Sequence, residues 1–101
     1  MDRYTLCAPE DIIWCEAVDG YARIHFVGGD SLLLAKSLSR LEEFLPKEHF
    51  ERAHNKALVN LRHIRSIEKN DGKILLLSNG HKVPVSSHRW KVFIGRFKLL
   101  T

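Results

Sequence analysis

Alternation of apolar and polar positions dominates the first third of the chain. Ile12 to Val18 is apolar and β-branched, and Tyr21 to Val27 alternates, with Ala22, Ile24 and Phe26 on one face and Arg23 and His25 on the other. Asp19-Gly20 between them is a turn dipeptide suited to positive φ. Gly28-Gly29-Asp30 turns the chain again into a strand from Ser31 to Ala35, and a short strand from Arg3 to Cys7 precedes the breaker Ala8-Pro9-Glu10-Asp11. The period then changes. Leu38, Leu41 and Leu45 fall at i, i+3 and i+7, which predicts a short amphipathic helix over Ser37 to Leu45. Ser37 or Ser39 caps its start, Ser39 with Glu42 fits a capping box, and Pro46 stops it.

The second half repeats the β pattern after an irregular stretch from His49 to Leu61. Ile64 to Lys69 reads as a strand, Asp71-Gly72 as a turn, and Lys73 to Ser78 as a central strand because Ile74 to Leu77 is continuously apolar. Asn79-Gly80 turns into His81 to Val85, where Val83 and Val85 point inward and Pro84 marks a sheet edge. Trp90, Phe93, Ile94 and Phe97 form one stripe of a closing helix capped by Ser86 or Ser87. These aromatics are read as core residues, not as a stacking platform. The expected fold is mostly β with short helices: two antiparallel meanders, a short helix between them and a helix at the end, in one domain over residues 1–101.

Composition narrows the chemistry. A domain of 101 residues with 45% hydrophobic and 28% charged positions can bury one core without disulfides or metal. Cys7 and Cys15 are not spaced as a metal knuckle and are expected to be buried free thiols. None of the six histidines forms a His-x-His or His-x-x-x-His pair, and no phosphate-binding Gly-rich loop is present. Ser86 or Ser87 beside His88 is not a triad, since no orienting carboxylate is evident. The expectation is a non-enzyme with no cofactor and no metal. No stretch reaches the ~20 apolar residues of a membrane span, and the start carries no signal-peptide pattern, so a cytoplasmic location is expected. The net charge of +4 suits a polyanion without establishing one.

The irregular stretch concentrates polar chemistry. Phe50, Leu58, Val59, Leu61 and Ile64 anchor it, while Arg52-Ala53-His54-Asn55-Lys56 lies between the anchors. Asn can pair with adenine in the major groove, and Arg and Lys reach phosphate or guanine. From the residues alone two readings stand: a rigidly held reading segment, or a solvated loop whose Asn55 caps a turn.

The chain resembles the LytTR family of bacterial DNA-binding domains along nearly its whole length. The run Ile12-Ile13-Trp14-Cys15-Glu16-Ala17-Val18-Asp19-Gly20-Tyr21, the helix Ser37-Leu38…Leu41-Glu42…Leu45, the motif Phe50-x-Arg52-x-His54-x5-Asn60-x3-Ile64 and the closing Val83-Pro84-Val85-Ser86 occur in the family's order. The resemblance implies a bacterial response-regulator output domain that binds double-stranded promoter DNA, probing successive major grooves with loops. Three groups of residues are implied as contacts: Tyr21, Ala22 and Arg23; Arg52, His54, Asn55 and Lys56; and Ser86, Ser87, His88 and Arg89. Arg52 and His54 can serve as contacts or as braces for their loop. Ala22 offers no hydrogen bond where some members carry a polar residue, and Ser87-His88 stands where Arg is common. The implied partners are repeated DNA sites and a receiver or other regulatory domain in a longer parent protein. Two rivals come from other classes: a module binding an acidic protein, and an RNA-binding domain, which would need exposed aromatics on a sheet face.

Overall fold

The computed structural model describes residues 7–69 and 72–97. Among these, β1 (Ile12–Val18), β2 (Tyr21–Phe26) and β3 (Ser31–Leu34) form the expected first meander, and β6 (Ile64–Glu68), β7 (Lys73–Leu77) and β8 (Lys82–Val85) form the second. The first turn is built as its residues demand: Asp19 and Gly20 sit at φ +49° and +84°, the left-handed pair that a two-residue hairpin needs. Between the meanders, α1 (Leu38–Phe44) starts at Ser37, whose Oγ accepts from the Arg40 N–H at 3.2 Å. Ser39 therefore lies inside the helix and does not cap it. The chain closes on α2 (Ser87–Ile94), with Ser86 at the cap position.

The irregular stretch is a hairpin. β4 (Phe50–His54) and β5 (Ala57–Asn60) pair with each other, and β5 pairs antiparallel with β1 through Ala57–Glu16, Leu58–Cys15 and Val59–Trp14. The first sheet therefore has five strands in the order β3-β2-β1-β5-β4. The predicted strand from Arg3 falls outside the described residues except for Cys7, which is exposed and not in a strand, contrary to the expected burial.

Two cores flank the five-stranded sheet. On one face Ile12, Cys15, Ala22, Ile24, Phe50 and Leu58 pack under Leu38 and Leu41 of α1. Burial, with a smaller push from Cys7, raises the Cys15 thiol to about 12, so it stays protonated and inert. On the other face Ile13, Trp14, Ala57 and Val59 meet Leu75, Leu77, Val83 and Val85 of the second sheet and Phe93 of α2. Histidines brace this layer. His25 stacks on Trp14 with centroids 4.8 Å apart, His81 closes on both rings, and His63 Nε2 donates to the Glu10 carbonyl at 2.8 Å. Past α2, Arg96 pairs with Glu51 at 2.6 Å and donates to the Lys47 and Glu48 carbonyls, pinning the chain to the approach to β4.

Asn60 is fully buried at the end of β5. Its Nδ2 donates to the Ile12 carbonyl at 2.9 Å and its Oδ1 accepts from the Arg62 N–H at 3.0 Å, which seals β5 to the start of β1. Asn60→Ala leaves buried backbone groups without partners and is expected to cost about 1–3 kcal/mol. Asn60→Asp keeps the acceptor but loses the donor and buries a charge against a carbonyl, so it should cost more. Urea melts of the two variants check both the magnitude and the order.

Candidate nucleic-acid interface

Strand register collects the three sequence-flagged loops at one end of the five-stranded sheet. β1 ends at Val18, which pairs with Tyr21 at the start of β2, and Ala22 pairs with Leu34 at the end of β3. On the other side Ala57, which opens β5, pairs with Glu16, and His54, which ends β4, pairs with Ala57. The Asp19-Gly20 and Asn55-Lys56 turns therefore leave the sheet in the same direction. The Ser86 N–H donates to the Ala53 carbonyl at 2.9 Å and brings the start of α2 beside them. With strands spaced ~4.8 Å apart, Tyr21 and His54 stand roughly 14 Å apart across this end.

His54, Asn55, Lys56, Ser86, His88 and Arg89 line one concavity of about 390 Å³. Its lining holds two full cations, Lys56 and Arg89, and no carboxylate. The first turn of α2 carries no acidic residue either, so its N-terminal partial positive charge is not neutralised there. A larger hollow of about 570 Å³ lies at the β2–β3 turn, the opposite end of the sheet. It is lined by Cys7, Asp11, Phe26, Val27, Asp30, Ser31 and Leu32. With Asp11 and Asp30 and no cation it has the wrong charge for a polyanion, so its size does not make it the better candidate.

The Asn55-Lys56 turn has no glycine and no positive φ. Bonds from outside therefore hold it. The Lys56 carbonyl accepts from the Ala17 N–H at 3.0 Å, the Asn55 carbonyl accepts from Arg52 Nη1 at 2.9 Å, and the Lys56 N–H donates to His54 Nδ1 at 3.1 Å. A backbone N–H can only donate, so Nδ1 is the bare nitrogen of His54 and the ring proton sits on Nε2. Burial first, then the nearby charges of Arg52, Lys56 and Arg89, holds this imidazole below its ordinary pKa.

The remaining implied contacts divide. Ser87 and His88 are exposed beside the concavity, and Tyr21 is 47% exposed at the far end of the row. Ala22 is fully buried under α1 and presents no side chain to the surface. Arg23 is half-buried and donates to Ser31 Oγ at 3.2 Å, leaning along the sheet away from the Tyr21 end. Arg52 is 8% exposed, with its guanidinium turned inward. Sequence reading passed over Lys36, which follows the end of β3 at this same edge and lies 5.4 Å from the centre of the Phe44 ring. Only the Ala22–Leu34 register reveals where it stands.

The family model of the LytTr DNA-binding domain matches residues 2–98. The chain belongs to the LytTR family. The LytTR domain is 34% identical over 79 residues to the sensory transduction protein LytT of Bacillus anthracis and 33% identical over 84 residues to the LytT of Bacillus cereus. Each alignment covers 76% of this chain but 32% of the relative, so the chain spans about a third of the length of the curated relatives it matches. Among solved structures, the LytTr DNA-binding domain of a Bacillus cereus protein superposes with a TM-score of 0.82 at 26% identity, covering 92% of this chain and 86% of that one. The expected mostly β LytTR fold with two helices is the fold found. No helix among the described residues is long and apolar enough to cross a membrane.

The lowered pKa of His54 has a defined consequence for stability. The unfolded chain takes up a proton near pH 6.5 while the folded ring still resists it. Stability is therefore full above that pH and falls as pH drops below it. His54→Ala should flatten this part of the stability profile, and the folded His54 ring should titrate below 6.5 when followed by NMR in the free domain. A ring titrating above 6.5 would contradict the assignment.

Proposed function

We propose that this LytTR domain binds duplex DNA sequence-specifically in transcriptional regulation, through the loop end of its five-stranded sheet. The observation that carries the reading is the concavity without a carboxylate, where Asn55, Lys56, His88 and Arg89 meet a helix N-terminus. Asn55 offers a donor and an acceptor on one exposed side chain, the pair that reads adenine. Lys56, Arg89 and the first turn of α2 grip phosphates. His54 contributes a neutral N–H donor at Nε2, so it adds hydrogen-bonding direction without adding charge. Ser86, Ser87 and His88 supply further donors to the backbone.

Tyr21 and Lys36 take the flank. The distance from Tyr21 to His54, about 14 Å, exceeds the ~12 Å width of one major groove. The row is thus at least as long as one groove is wide, which leaves Tyr21 and Lys36 to meet the duplex beside the stretch reached by Asn55. RNA is disfavoured because Tyr21 and Phe44 are the only strongly exposed Phe, Trp or Tyr rings among the described residues, too few for a base-stacking surface. The relatives, named for sensory transduction and about three times as long, support an output role attached to a regulatory domain such as a receiver. Repeated DNA sites as targets belong to the same proposal.

Binding sites selected from a random duplex pool test the reading. Asn55→Ala should cost about 1–3 kcal/mol on the preferred site and relax its sequence preference, with the salt slope intact. Lys56→Ala should weaken specific and random duplexes alike and reduce the slope of log K against log salt by about 1. Equal affinity of the unaltered domain for selected and random duplexes would end the proposal.

A further inference from the structure

Arg52 is the most deeply buried charge among the described residues, and its guanidinium is shared between two elements. Nη1 donates to the Asn55 carbonyl at 2.9 Å, at the tip of the β4–β5 hairpin. Nη2 donates to Ser39 Oγ at 3.0 Å, on α1. Nε lies 3.0 Å from Glu42 Oε1, also on α1, as an ion pair off the line of a hydrogen bond. A break in register between Arg52 and His54 puts a bulge in β4, which is the device that re-aims a strand side chain. Alternation along β4 puts Arg52, like Phe50, on the α1 face and Ala53 in the opposite core, and the bulge that follows Arg52 bends the strand toward the hairpin tip.

From this network we propose that Ser39 and Glu42 act through Arg52 as positioning residues for the base-reading turn at Asn55. The proposal rests on the reading that this turn contacts DNA. The turn has no intrinsic glycine geometry, so the height and tilt of Asn55 depend on the bonds to its backbone. The bond from Arg52 is the one whose other end reaches α1. A planar guanidinium transmits orientation because its donors form a rigid fork, which Lys cannot reproduce. The charge of Arg52 is matched by Glu42 and is enclosed, so it is not available for a phosphate. Neither Ser39 nor Glu42 lines the concavity. A change in site preference on altering them must therefore pass through the protein.

The test compares affinity for a selected duplex with affinity for a random duplex, together with the salt slope and the melting temperature. Ser39→Ala and Glu42→Gln should each lower the selected-to-random ratio by roughly three- to thirtyfold without changing the salt slope. In an Arg52→Gln background, Glu42→Gln should lower the ratio no further, because both act through one guanidinium. The Arg52→Gln, Glu42→Gln double variant conserves net charge and should keep the unaltered slope. A slope lower by about 1 in that variant would mean that Arg52 itself grips a phosphate and would overturn the proposal. So would Ser39→Ala and Glu42→Gln proteins that melt earlier yet keep the full ratio. These two variants alter a half-exposed helix surface and decide the matter even if Arg52→Gln does not fold. Asn55→Ala serves as the control: an unchanged ratio there would remove the underlying reading as well, a failure distinct from silent α1 variants beside an active Asn55.

Discussion

The pairing of β1 with β5 is the constraint on which the rest of the domain depends. Among the described residues, β1 is the only strand that joins the first meander to the β4–β5 hairpin. Side chains alternate faces along a strand, so a slip of one residue in the β1–β5 register would exchange Leu58 for Val59 between the two cores. Leu58 belongs under α1 and Val59 against the second sheet. Asn60 guards this register with a polar signal: its amide finds the Ile12 carbonyl only when β5 runs to the start of β1. The same register makes two turns far apart in sequence leave the sheet side by side. Packing of the core and assembly of the loop end are one problem with one solution.

Much of this was legible in the residues. Six strands and both helices follow from apolar period and from Asp-Gly, Gly-Gly and Asn-Gly turn chemistry. The β4–β5 hairpin was not legible, for three physical reasons. Its first strand alternates poorly because the bulge interrupts the period and Arg52 occupies an inward position. Its turn, Asn55-Lys56, carries no residue that announces a turn by positive φ. The partner that makes Arg52 tolerable inside is a helix face supplied by Ser39 and Glu42, which a local reading treats as capping chemistry. The motif residues at the site were flagged by resemblance, but their division into presented and enclosed side chains is a tertiary fact. Ala22 and Arg52 went inside, while Asn55 and His88 stayed out.

The two hollows differ in the charge of their linings, although Asp19 stands exposed on the turn beside the loop end. The loop end gathers Lys56 and Arg89 around the start of α2, and the β2–β3 end carries Asp11 and Asp30 around its own hollow. A modest net charge of +4 thus understates the field that a polyanion meets when it approaches the loop end.

The β4–β5 tip is anchored by its main chain. The bonds that shape it end on the carbonyls of Asn55 and Lys56 and on the Lys56 amide, and these groups exist whatever side chains the two positions carry, proline at 56 excepted. The side chains at 55 and 56 are therefore relieved of structural duty. Such a tip can exchange one recognition chemistry for another while the fold beneath it stays the same, so related domains can diverge in the sequence they read through two adjacent codons without first repairing a core.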